Sequence, residues 1–163
     1  MNDPMGHTKQ IIGLVILVVL CLGAAAAGSA ATVPQIGSWY TALAKPSWTP
    51  PNWIFGPVWT VLYVDMAVAA WLVWRQKGWP GAQVPLLLFL VQLAFNVAWS
   101  WLFFGLRNPG LGFANIILLW VAIVVTLVAF WRQSVLAGLL LVPYLAWVTF
   151  AGALNYSIWQ LNT

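Results

Sequence analysis

Residues 110–131 read GLGFANIILLWVAIVVTLVAFW, an unbroken run with no charged side chain. Crossing the hydrocarbon of a bilayer takes about 20 apolar residues in a helix rising 1.5 Å per residue. Lipid offers no water to backbone N–H and C=O groups, so such a segment must satisfy them within itself, as an α-helix does. Four more runs are built the same way: Ile11–Ala31, Trp53–Trp74, Ala82–Leu106 and Ser134–Trp159. None alternates over the roughly 10 positions of a membrane β-strand. The helices are predicted at 10–31, 53–74, 82–106, 110–131 and 134–159, with Pro85 tolerable in a first turn and Pro143 expected to kink the last. The expected fold is an all-α membrane protein, one domain over 1–163: a five-transmembrane-helix bundle with a long ordered loop between its first two helices.

Composition agrees and removes other classes. The 163 residues are 63% apolar and 5% charged, with a mean hydropathy of +0.93. Soluble domains carry roughly 25% charged residues. One His (His7) and one Cys (Cys21) cannot supply the three or four ligands of a metal site. Asp3 and Asp65 are the only acids, which argues against paired-carboxylate catalysis. The net charge of +4 is scattered over loops, which fits membrane topology and not nucleic-acid binding. Aromatics are in excess, with thirteen Trp.

The first run also fits a cleaved leader, with Lys9 as its basic end, Ile11–Leu22 as its core and small residues at Ala24–Ala31. Residues 32–52 then break the pattern with Pro34, Pro46, Pro50, Pro51, Trp39, Tyr40 and Trp48. A loop that long is usually functional or disordered, and its aromatics and prolines argue for order. Lys9, Arg75, Lys77 and Arg132 fall on the side of the N-terminus, with Lys45 and Arg107 opposite. Counting basic residues therefore places the N-terminus in the cytoplasm and the first loop on the other side.

The second helix carries Phe55, Trp59 and Tyr63 on one face, and the third carries Gln92, Asn96 and Ser100 with Trp99 and Phe103 at its edge. The fifth aligns Tyr144, Trp147, Ala151 and Asn155. Trp59, Trp99, Trp147 and Asn96 fall at depths of roughly 9–18 Å below the loop side. That is close enough to line one aromatic cavity with a few polar groups, as small-molecule sites do. The competing reading is structural. Trp53, Trp71, Trp74, Trp79, Trp131 and Trp159 look like interfacial belt residues, Trp120 lies deeper, and Gln92, Asn96 and Asn155 can simply bond helices together. Asp65 points about 240° around its helix from Trp59. It is read as bonded to a neighbouring helix or placed at a subunit contact, outside the cavity. Gly23-Ala27-Ala31 and Ala94-Ala98 are small-residue rows that permit close helix approach within one chain or between two.

These residues resemble the TspO/MBR family, the tryptophan-rich sensory and translocator proteins. The resemblance is carried by W-Y-x-x-L-x-K-P-x-W-x-P-P from Trp39 to Pro51, W-x-F-x-x-x-W-T-x-L-Y from Trp53 to Tyr63, Q-L-x-x-N-x-x-W-S from Gln92 to Ser100, and P-Y-L-x-W-x-x-F-A-x-x-L-N from Pro143 to Asn155. It implies a five-helix bundle, often a homodimer, that retains its first helix and opens a pocket under the first loop. It also implies tetrapyrrole ligands (protoporphyrin IX or haem), sterols in some branches, and synthetic isoquinoline carboxamides and benzodiazepines. By motif, Trp59 and Trp147 match pocket tryptophans, Asn96, Tyr63 and Ala151 match pocket lining, and Tyr40, Pro46 and Trp48 match its lid. Two departures stand out. The sterol motif lacks its basic residue in Leu154–Gln160, and Asp65 stands where a neutral residue is expected.

The candidate ligand site is therefore Tyr40, Pro46, Trp48, Phe55, Trp59, Tyr63, Asn96, Trp99, Ser100, Trp147 and Ala151. The expected function is a membrane tetrapyrrole-binding translocator or sensor, linked to porphyrin transport or stress regulation. Its partners would be a porphyrin or other small hydrophobic ligand, the bilayer and a second copy of the chain, with no obligatory cofactor and no metal. Asn96 and loop groups are the expected contacts of porphyrin carboxylates. Two alternatives stay open: light-dependent porphyrin degradation through Trp59 and Trp147, and a non-transporting regulatory subunit of another membrane protein.

Overall fold

The computed structural model describes residues 6–163. These residues form helices and no strands: α1 (His7–Ile36), a single turn α2 (Trp39–Ala42), α3 (Asn52–Ser100), a π-helical turn (Trp101–Gly105), α4 (Pro109–Gln133) and α5 (Val135–Leu161). α3 is 49 residues long and is broken once, at Gly78, where φ is 63° and ψ is 179°. A straight helix would hold residues 63 and 96 about 50 Å apart. Instead the Tyr63 hydroxyl donates to Asn96 Oδ1 at 2.6 Å, so the chain doubles back at Gly78 into two antiparallel arms. Four helical stretches are long and apolar enough to cross a membrane, and the longest of them holds both arms of α3.

Local chemistry accounts for most of the boundaries. Asn108 caps α4, its side chain accepting from the Leu111 N–H at 3.0 Å, and Pro109 opens the helix where its missing N–H costs nothing. The Ser134 hydroxyl accepts from Ala137 N–H and so starts α5 directly after α4 ends. α5 runs on through Pro143. Pro34 corrects the expected loop at 32–52. It sits inside the last turn of α1, where its φ suits the helix and a single backbone bond is lost, so α1 reaches Ile36 and the connection shrinks to 37–51.

That connection is tied down at three places. Tyr40 and Trp39 pack on the adjacent rings of Phe103 and Phe104, with Tyr40–Phe104 centroids 5.6 Å apart. The Asn162 side chain donates to the Ala44 carbonyl and accepts its N–H, at 2.9 and 3.0 Å. Trp48 sits edge-on to Phe150. These ties bring Lys45 to the same end as Arg107 and the C-terminus. The opposite end holds Lys9 and Arg75, drawn together by the Trp71 indole bonding the Gln10 carbonyl at 2.9 Å, and it holds Arg132.

α1 buries little of itself: Gln10, Cys21, Gly28 and Ala31. Two indoles of the neighbouring segments clip its backbone, Trp71 at Gln10 and Trp101 at the Ala27 carbonyl. Of the small-residue row, Ala31 is buried and Ala27 offers its carbonyl to Trp101, while Gly23 packs on nothing among the described residues. Gly23 has open space where a Cβ would stand, whereas a Cβ at Gly28 would lie 3.0 Å from Ser100 Oγ.

The conformation at Gly78 is open essentially to glycine alone. Gly78→Ala should lower stability by about 1–3 kcal/mol, whereas Gly23→Ala, inside α1 and facing open space, should leave it unchanged or raised. Thermal unfolding of both variants in detergent, followed by intrinsic tryptophan fluorescence, checks the contrast.

Candidate functional site

Between the end of α1, both arms of α3, the π-helical turn and α5 lies a cavity of about 410 Å³. Its roof is Tyr40, held by Phe103 and Phe104 and 6% exposed. Burial pushes the Tyr40 phenol above its ordinary range, and the Lys45 ammonium lies 4.8 Å over its ring. The first arm of α3 contributes Phe55, Trp59 and Tyr63 at helical spacing, so one stripe of rings forms one wall. The second arm supplies Asn96, Trp99 and Ser100, and α5 supplies Trp147 and Ala151.

Nine of the eleven expected residues thus line one space. Pro46 and Trp48 do not: both belong to the connection outside it, and Trp48 is 47% exposed. Asp65 is also outside, half-buried on a different side of its helix. Trp53, read as a belt residue, is 74% exposed yet reaches the cavity's edge.

The polar residues are organised among themselves. Tyr63 donates to Asn96 Oδ1 (2.6 Å), Asn96 Nδ2 donates to the Tyr144 hydroxyl (2.8 Å), and Tyr144 donates to Gln92 Oε1 (2.8 Å). Gln92 and Asn96 are 2% and 4% exposed, and Tyr144 is fully buried. A second chain runs from Trp99 Nε1 to Asn155 Oδ1 (2.9 Å) and from Asn155 Nδ2 to the Pro109 carbonyl (2.7 Å). Both sides of the Asn96 amide are therefore engaged with the protein. One buried donor in the cavity wall is left without a partner among the described residues, the indole N–H of Trp147. Buried donors are nearly always bonded, and this one belongs to a side chain that lines the cavity. The ring of Trp147 is itself held edge-on by Phe55, at 5.7 Å between centroids.

Sequence reasoning missed the α1 side of the wall and Phe104. α1 contributes Ala25, Gly28, Ser29 and Thr32; these residues are small or weakly polar, and no aromatic spacing singles them out. Phe103 and Phe104 come from the π-helical turn, where they are 2% and 7% exposed. Consecutive residues of an α-helix point about 100° apart, and the wider turn brings both inward. Helical spacing places Phe103 at the edge of the polar face; Phe104, its neighbour in sequence, has no periodic signal.

Removing the centre of the buried chain should cost more than removing its end. Asn96→Leu strands the Tyr63 hydroxyl and removes the donor that Tyr144 accepts, while Tyr144 keeps its bond to Gln92. It should destabilise by about 1–3 kcal/mol for the orphaned Tyr63 donor and about 1 kcal/mol more for the second lost bond. Tyr63→Phe leaves one acceptor of Asn96 unused and should cost about 1 kcal/mol. Thermal unfolding of the two purified variants, side by side, ranks them.

Comparison with known proteins places this arrangement. The family model described as TspO/MBR family matches residues 15–160. The "Tryptophan-rich protein TspO" of Chlorobaculum tepidum is 49% identical over 157 residues, covering 94% of this chain and 98% of that protein. "Protein CrtK" of Rhodobacter capsulatus is 40% identical over 155 residues, with 93% and 95% covered. The human "Translocator protein" is 46% identical over 126 residues, with 76% and 75% covered. With its long apolar helices and these relatives, the chain is an integral multi-pass membrane protein and belongs to the TspO/MBR family.

Proposed function

We propose that the chain crosses the bilayer five times, the two arms of α3 counting separately, and acts as a tetrapyrrole-binding translocator or sensor. Protoporphyrin IX or haem would enter the cavity beneath residues 37–51. The observation that carries this reading is the aromatic cavity with one unpartnered donor, Trp147 Nε1–H. Indole and phenyl faces stack on a flat macrocycle, and Trp59, Trp99, Trp147 and Phe55 offer such faces on several sides. A porphyrin carboxylate would accept from Trp147; Asn96, engaged with Tyr63 and Tyr144, is a poorer contact than its sequence position implies. At about 410 Å³ the space falls in the range that small-molecule sites occupy. Its lining includes no His, Cys or Met, Tyr63 spends its hydroxyl on Asn96, and burial disfavours ionisation of Tyr40, so haem and metal-free porphyrin should bind alike. The basic-residue count puts the N-terminus on the cytoplasmic side and the cavity roof opposite. The family's habit of pairing makes a homodimer the working assembly.

A protoporphyrin IX titration of the purified protein in the dark, read by tryptophan quenching, tests this. The expected result is saturable low-micromolar binding that Trp59→Phe/Trp147→Phe weakens at least tenfold, about 1.4 kcal/mol or more. Weak, non-saturating quenching unchanged in the variant would mean that the porphyrin only partitions into detergent, and the tetrapyrrole assignment would fall. Illuminating the saturated sample separates the degradative alternative: loss of the porphyrin absorption bands that requires Trp59 and Trp147 would favour it.

A further inference from the structure

Asp65 lies at the middle of the first arm of α3, thirteen residues after Asn52 and twelve before Lys77, about 20 and 18 Å from those ends. That is mid-hydrocarbon, too deep for a short carboxyl to reach either interface. It is the only acid among the described residues, and none of them offers it a hydrogen bond or an ion pair. Other polar groups on the outer surface differ: the Thr149 and Ser157 hydroxyls each return a bond to their own helix, at 2.8 and 3.0 Å. An ionisable group facing lipid without a partner is strongly unfavourable, so its surroundings must be supplied from outside the chain.

The residues around it indicate by what. Val61, Asp65, Val68 and Leu72 follow one another at spacings of four, three and four, which is the seam of a left-handed two-helix pair. Val61 is 59% exposed and the other three are half-buried, so the seam lies on the outer surface of the bundle. Val61 and Val68 flank Asp65 along it, and their stiff branched side chains lose little freedom when a second helix packs on them. Two copies in one bilayer share an orientation, so a twofold axis stands along the membrane normal and identical residues meet at identical depth. In a parallel seam of this kind one polar residue sets the register. A protonated carboxyl is both donor and acceptor, so two such groups satisfy each other with reciprocal O–H···O bonds and no net charge. The six basic residues all lie near the ends of helices or in loops, so a second copy offers no cation at this depth.

We infer that the outer face of the first arm of α3 is an interface between two copies of this chain, with Asp65 paired to its counterpart across the twofold axis. It gives the assembly proposed above its contact surface and is independent of what the cavity binds. The test uses the full chain in liposomes, with Cys21→Ala as background and Asp65 intact. Single cysteines are placed at Val61→Cys or Val68→Cys, with Leu118→Cys on the exposed face of α4 as reference, and oxidised with copper phenanthroline. The expected result is a disulfide-linked dimer from Val61→Cys and Val68→Cys at least fivefold above Leu118→Cys. Adding Asp65→Leu should reduce it severalfold, and Asp65→Asn, which retains donor and acceptor, should keep it. Cross-linking at Val61→Cys and Val68→Cys no higher than at Leu118→Cys overturns the interface; a strong dimer from Leu118→Cys alone would do so while leaving the homodimer standing. Cross-linking at Val68→Cys that is indifferent to Asp65→Leu overturns the pairing. In native membranes, cross-links only to a different protein would assign the face to another partner and overturn the second-copy assignment.

Discussion

Inside a bilayer a polar side chain has no water to fall back on, and in this protein one connected set of hydrogen bonds answers that demand. Gln92, Asn96, Tyr144 and Tyr63 form a continuous chain of three bonds, all between 2.6 and 2.8 Å. Its members come from both arms of α3 and from α5. Any slip of one helix along another by a single residue would break at least one of these bonds and bury an unsatisfied group. The register of three helices is thereby coupled, and the aromatic residues that ride on them are carried to fixed places.

The cavity follows from that registration. Trp59 packs against both Tyr63 and Tyr144, at 5.8 and 6.2 Å between ring centroids, so the polar chain forms the floor and the indole stands directly above it. Higher up, the π-helical turn presents Phe103 and Phe104 side by side, and these hold Tyr40 and Trp39 over the opening. A π-turn inserted in a helix is a local cost that persists where neighbouring packing demands it, often at functional sites. Here it lets one helix end serve both as wall and as socket for the roof. α1 closes the remaining side, and at Gly28, where a Cβ would lie 3.0 Å from Ser100 Oγ, it comes too close for a larger residue.

Much of this was readable along the chain. The apolar runs give the helices, and the polar face Gln92, Asn96, Ser100 and the stripe Phe55, Trp59, Tyr63 emerge from a period of 3.6. The residues that escaped notice have no periodic signature. Pro34 looks like a breaker and ends up within the last turn of α1, because one lost bond near a helix end is cheap. Pro46 and Trp48 match the cavity lid by their motif, yet neither lines the cavity, and Trp48 packs edge-on to Phe150. Ser29 and Thr32 are ordinary residues until another helix leaves a gap beside them.

By itself the sequence determined that this chain belongs in a membrane, as helices, with its chemistry confined to aromatic and amide side chains and two acids. Composition and hydrophobic period settle those points, since the bilayer selects for them segment by segment. Which polar groups spend their hydrogen bonds on one another was decided only by the tertiary structure. Asn96 and Trp147 read as equivalent pocket residues in the sequence. In the fold, Asn96 is engaged on both sides of its amide and Trp147 keeps a buried N–H without a partner among the described residues. That difference depends on distances between helices far apart in sequence, and no local pattern encodes it.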